Sequence, residues 1–223
     1  MSIQPAPSGT GKPARKPSKR ILPPHPMRAA FVIVGFVAVL YLVELVNASF
    51  FAGSLDNYGI VPRQAAGLPG VVWAPLLHET WQHLFSNTVA VAVFGFLAMA
   101  SGIGPWIAST VTIWLISGLG VWLIAPAGTI TVGASGIAFG WLAFLLVRGI
   151  FNRSAGQILV ALVLLFFWGS ILFGLLPGQP HISWQAHLFG AIGGILAAWL
   201  STRANRTKST PPITTQLPGN LAA

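Results

Sequence analysis

No cysteine occurs in the 223 residues, so the chain forms no disulfide, carries no thiol nucleophile and has no thiolate for a metal. Covalent chemistry is left to Ser, Thr, His or the carboxylates. Charge is also scarce: 7% of the residues are charged, against roughly a quarter in an ordinary soluble domain. Only three are acidic, Glu44, Asp56 and Glu79. A water-soluble globule is excluded on that ground. The chain is instead 54% hydrophobic, and a helix that crosses a bilayer takes about 20 apolar residues. Six such spans would use about 120 residues and leave the remainder for tails and loops. The net charge of +9 would suit nucleic acid only if the basic residues shared a folded, solvated face. Their positions say otherwise, and no nucleic-acid partner is expected.

Residues 1–28 are rich in Pro, Lys and Arg and read as a disordered basic tail. The apolar run Ala29–Phe51 exceeds the 7 to 15 residue core of a cleaved signal peptide, so it reads as a first membrane helix that stays attached. Further runs follow at Leu84–Ala100, Pro105–Ala125, Ser135–Ile150, Gln157–Leu176 and Trp184–Leu200, separated by turns marked with Gly and Pro. The expectation is an all-α polytopic membrane protein of six transmembrane helices over residues 29–201, with a second disordered tail at 202–223.

Six spans place both tails and the second and fourth connections on one side. That side would hold six Lys or Arg in the first tail, Arg148 and Arg153 in the fourth connection, and Arg203, Arg206 and Lys208 in the last tail, leaving only Arg63 opposite. By the positive-inside rule both termini are expected in the cytoplasm, with the tails against anionic lipid. The connection 52–82 is long for a helix connection and reads as a functional outer loop. Within it, Val71–Leu77 with Trp73 suits either a short interfacial piece or irregular loop.

Four histidines, His78, His83, His181 and His187, map to the outer side, and polar residues within membrane spans are functional by default. His78-Glu-Thr-Trp-Gln-His83 looks at first like a zinc-protease motif, but it is one residue too long. Histidines at i and i+4 lie about 40° apart around a helix, those at i and i+5 about 140°. No metal site is expected. Gly133-Ala-Ser135-Gly136 opens the fourth span; packing through Gly136 and Gly140 and a reactive hydroxyl both fit it. In the sixth span His187, Gly190 and Gly194 stand at i, i+3 and i+7, on a smooth stripe where another helix can come close. Both spans run inward, and Ser135 and His187 differ in depth by only about 5 Å. His83 and Asn87, at i and i+4 of the second span, project to one side and suit either helix capping or donation to a common acceptor. Three clusters thus reach one depth at one membrane face.

These residues resemble the rhomboid family of intramembrane serine proteases: Gly133-x-Ser135-Gly136 in the fourth span, Ala186-His187-x-x-Gly190 in the sixth and His83-x-x-x-Asn87 in the second. The resemblance implies a rhomboid-like bundle in which Ser135 is the nucleophile and His187 its general base. It further implies that His83, Asn87 and the backbone N–H of Ser135 form the oxyanion site, and that Phe139 packs on the catalytic histidine. No Asp or Glu lies in spans two to six to make a third member. The implied substrate is a transmembrane helix of another membrane protein, entering past the fifth span at Phe166, Phe167 and Trp168, beneath a mobile cap at 177–183. No cofactor is implied. The expected location is the bacterial cell membrane, as a multi-pass protein. Many relatives carry a Trp-Arg pair in the outer loop, whereas this chain has Pro62-Arg63 and a separate Trp73. An inactive relative that binds client helices is the first alternative, against which stands the presence of both Ser135 and His187. A channel or transporter is the second, against which stands the absence of an internal repeat.

Overall fold

A computed structural model describes residues 19–207, the side chains of 205–207 excepted. Most of the two expected tails therefore lies outside the described residues. Seven α-helices follow in order among the described residues: α1 Pro26–Phe50, α2 Gly70–Trp73, α3 Trp81–Ala98, α4 Ile103–Ile124, α5 Ser135–Asn152, α6 Ala155–Trp168 and α7 Trp184–Thr207. Among the described residues there is no sheet, only one isolated bridge, Ile60 with Thr131. The chain is a polytopic helical membrane protein. α1, α3, α4, α5 and the α6 region through Leu175 are each long and apolar enough to cross a membrane. α7, richer in polar residues, packs alongside α4 and α5.

Several boundaries differ from the expected ones. α1 begins at Pro26 rather than Ala29, because proline is suited to the first helical turn, where its missing N–H costs nothing. α7 continues past Ser201 to Thr207 among the described residues. The fifth span is α-helical only to Trp168 and then tightens into a 3-10 turn over Gly169–Leu175. Arg148, assigned by sequence to the connection after the fourth span, is instead buried within α5. Its guanidinium donates to the backbone carbonyls of Leu97 and Arg20 and lies 5.7 Å from the Phe144 ring centroid. Gln157 donates to the same Arg20 carbonyl, at 3.1 Å, so the entry to α1 is tied to the α5–α6 corner.

α5 is the axis of the bundle. It packs on α7, α6, α3 and α4, and nearly all its side chains from Gly136 to Leu145 are buried. Trp141, fully buried, stacks on Trp106 and meets Phe36 edge-on, and its Nε1 donates to the Thr110 hydroxyl at 3.0 Å. A buried indole thereby satisfies its one donor. The outer surfaces of α1 and α6 carry exposed Phe31, Val34, Leu42, Leu162 and Phe166, as expected of faces solvated by lipid.

The connection from α1 to α3 docks on the bundle through backbone groups. Ile60 and Thr131 exchange N–H···O bonds of 2.9 and 3.0 Å. Arg63 donates to the carbonyls of Leu123 and Ala125 at the end of α4, a favourable place for a cation. The indoles of Trp114 and Trp122 donate to the carbonyls of Val71 and Gln64. Val71 and Ala74 are buried beneath the short α2, while Val72 and Trp73 face outward. Arg63 and the α4 tryptophans thus hold a loop in which the Trp-Arg pair is absent.

Candidate active site

Ser135 stands where an irregular turn becomes a helix. Gly133 has φ +117°, Ala134 supplies no side-chain cap, and Ser135 is the first residue of α5. Its N–H is therefore among the donors that a helix leaves unpaired in its first turn. The turn is pinned from the outer connection: Gly133 N–H donates to the Ala74 carbonyl at 2.8 Å, and Ala134 N–H to His78 Nε2 at 3.4 Å.

His187 arrives on α7, which lies very close to α5. A Cβ added at Gly190 would collide with the Gly136 carbonyl, and one at Gly194 with the Gly140 carbonyl. From α4, the Ser117 hydroxyl donates to the Ala186 carbonyl at 2.8 Å. Held this way, His187 Nε2 lies 2.9 Å from Ser135 Oγ. The imidazole stacks on Phe139 with centroids 3.9 Å apart and planes 8° from parallel. On its other edge Nδ1 lies 3.0 Å from the Gly174 carbonyl oxygen. A carbonyl can only accept, so Nδ1 carries the proton and Nε2 is free to accept from the serine hydroxyl. Gly174 belongs to the 3-10 turn after α6, and the expected continuous fifth helix gave no sign of this contact.

His83 and Asn87 sit at the start of α3, whose N-cap Thr80 accepts from His83 N–H at 3.1 Å. Both line a cleft of about 490 Å³ together with Ser135, Phe139 and His187. The left-handed Gly133 makes room for the His83 ring: a Cβ there would lie 2.7 Å from the ring's Cε1. Asn87 Nδ2 is buried and has no hydrogen-bond partner among the described residues. A buried donor left unmatched costs free energy, and its position on the cleft wall suits a site that receives an acceptor from outside. Gly136, Phe139 and Gly190 all border the contact between the two helices. Ile182 and Ser183, in the expected cap segment, line the cleft as well, and Phe166 and Phe167 project outward from α6.

His78, weighed by sequence only as a metal ligand, supports the site from behind. It is 1% exposed, accepts from Ala134 N–H, and meets the His83 ring edge-on at 5.1 Å. Burial, with His83 as a lesser cause, holds its pKa down to about 3, so the ring is neutral at ordinary pH. The sequence offered only the unusual His-x4-His spacing; the contact itself links residues 56 positions apart.

The family model described as the Rhomboid domain matches residues 65–204. An uncharacterized protein of Mycobacterium tuberculosis is 44% identical over 206 residues, covering 88% of this chain and 85% of that protein. An uncharacterized protein of Mycobacterium bovis matches to the same extent. One of Mycobacterium leprae is 39% identical over 188 residues, covering 81% of this chain and 74% of its own.

Proposed function

The chain belongs to the rhomboid family, and on that premise we propose that it is a serine endopeptidase that hydrolyses peptide bonds in or near the transmembrane helices of other membrane proteins. The observation that carries this reading is the 2.9 Å approach of His187 Nε2 to Ser135 Oγ, with Nδ1 occupied by the Gly174 carbonyl. Ser135 Oγ attacks the scissile carbonyl carbon while His187 Nε2 takes its proton. The tetrahedral oxyanion is met by Asn87 Nδ2, the His83 ring and the N–H of Ser135. His187 then returns the proton to the leaving amine, and the acyl-enzyme is hydrolysed by water that the same imidazole activates.

Water must reach Ser135 for the second half of this cycle. Polar side chains and irregular backbone at membrane depth are tolerable only around a wet, protein-lined cavity, and the cleft bears Glu79, Thr80, Gln82 and Ser86 beside the catalytic groups. With six spans and both termini in the cytoplasm of a bacterial cell, the arrangement that the distribution of Lys and Arg along the sequence supports, the cleft faces outward. A regular helix hides its carbonyls, so a substrate segment unwinds to be cut, and Gly, Pro or other weak helix formers near the scissile bond favour cleavage.

A fluorophosphonate probe applied to membranes containing the protein tests the reading. Labelling is expected in the wild type and absent in Ser135→Ala. Equal labelling of the two refutes the nucleophile, and no labelling of either, despite correct insertion, favours a relative that binds client helices without cutting them.

A further inference from the structure

Glu79 is the one carboxylate that lines the Ser135 cleft, and it also lines a second cavity, of about 400 Å³, that adjoins it. The two spaces share walls at His83, Val132 and Ser183. The second extends between the connection after α4, at Pro126 and Thr129, and the start of α7, at Trp184 and Gln185. No Lys or Arg among the described residues lines either space. An extended chain leaving Ser135 along this second cavity passes the Glu79 carboxylate.

The charge of Glu79 is not answered from within this part of the protein. Between Arg28 and Arg148 the sequence holds a single basic residue, Arg63, and its guanidinium is committed to the carbonyls of Leu123 and Ala125. The nearest charge to reach Glu79 is instead of its own sign. Burial pushes the Asp56 carboxyl up, the hydrogen bond from Asn47 holds it down, and the charge of Glu79 raises it further. Carboxylates that sense each other, with no cation between them, leave the mouth of the cleft at negative potential. Glu79 directly precedes Thr80, the N-cap of α3, and an acid there suits the helix dipole. That duty is already met in part by the Thr80 hydroxyl, which accepts from His83 N–H, and it would bear on stability rather than on the choice of substrate.

We propose that Glu79 selects substrates by charge, favouring client proteins that carry Lys or Arg in the stretch running from the scissile bond along the second cavity, and disfavouring Asp or Glu there. This rests on the proteolytic reading above. Under that reading the cleft faces outward, and Lys and Arg gather on the cytoplasmic flanks of membrane helices. A basic residue on the outer flank is then an uncommon mark, one that separates a few clients from the mass of membrane helices. Glu79 is exposed, so water and salt weaken its pull. Discrimination of a few fold, rather than an absolute requirement, is the scale such a carboxylate supplies.

The test uses the full-length protein in phosphatidylcholine vesicles, at about pH 8, above the ordinary histidine value. Its substrates are single-span proteins, identical except that one residue at a time, on either side of the cut, is Lys, Gln or Glu. At one or more positions kcat/KM is expected to fall in the order Lys, Gln, Glu, by about twofold to fivefold at each step, with smaller steps at high salt. E79Q should flatten that order and E79K should reverse it. The readout is a ratio among substrates, so a change that slows all of them alike, through His83 or through the helix cap, cancels. Absence of the order at every position in the wild type, or the same order in E79Q and E79K as in the wild type, overturns the proposal. In both cases continued cleavage of the Gln substrates leaves the protease reading intact, whereas failure of the wild type to cut any member of the set overturns the two together.

Discussion

The carbonyl oxygen of Gly174 lies 3.0 Å from Nδ1 of His187, at the edge of the imidazole where a three-membered hydrolase site carries a carboxylate. A neutral carbonyl can hold the ring and its tautomer, but it offers less compensation than a carboxylate when the ring becomes cationic. Orientation is therefore its main contribution, and orientation is open to a steric test. A Cβ at residue 174 would lie 2.9 Å from Nδ1 and 3.2 Å from the Phe139 ring, so the stacked imidazole would have to shift. Displacements on the order of 1 Å can cost about a hundredfold in rate. Gly174→Ala is expected to lower kcat by about that factor with little change in KM, measured on a cleavable single-span substrate. An unchanged kcat would show that the carbonyl does not orient the base.

Asn87 invites a different measurement, because its donor is unmatched among the described residues. If Nδ2 meets the oxyanion, Asn87→Ala removes one transition-state contact and slows turnover by about tenfold to a thousandfold. The loss should fall on kcat rather than KM. A variant that turns over at the wild-type rate would take Asn87 out of the site and leave its burial unexplained.

The helical architecture was legible because apolar runs and Gly/Pro turns repeat one signal. So was the meeting of α5 and α7: Gly136, Gly140, Gly190 and Gly194 mark surfaces without side chains, and depth along two similarly directed helices follows from the rise per residue. Gly174 was not legible, since nothing local distinguishes an apolar α-helix from one that tightens into a 3-10 turn after Trp168. His78 was hidden for another reason. Its partners, Ala134 and His83, are fixed by how the outer connection folds onto the bundle, and that connection docks through backbone carbonyls, which carry no sequence signature. Arg148 misled by its type, because a cation near the end of a span reads as a loop residue until backbone acceptors are found for it.

The helix contact makes its own prediction. Gly190 has no room for a methyl group beside the Gly136 carbonyl, whereas Gly35 in α1 has nothing within 4 Å of an added Cβ. Gly190→Ala should destabilise the protein by about 1–3 kcal/mol, the usual cost of overpacking, and weaken probe labelling as the two helices part. Gly35→Ala should be neutral or slightly stabilising, since alanine is the better helix former. Thermal unfolding in one detergent compares them; equal midpoints would mean that the α5–α7 contact tolerates separation.

His78 connects stability with pH. Its ring is neutral and buried in the folded protein, with a pKa of about 3, and would titrate near its ordinary value of 6.5 once unfolded. The unfolded state therefore takes up the proton first as pH falls. The stability that His78 contributes is complete above about 6.5 and is lost progressively as pH drops from there toward 3. Glu79 follows His78 directly and the His83 ring meets the His78 ring edge-on, so the wild-type profile alone does not isolate this group. His78→Gln keeps an acceptor for Ala134 N–H but cannot be protonated in that range. The fall in unfolding midpoint between pH 7.5 and 5 should be smaller in His78→Gln than in the wild type. Equal falls would mean that the buried ring is not the group that sets the acid sensitivity of the site.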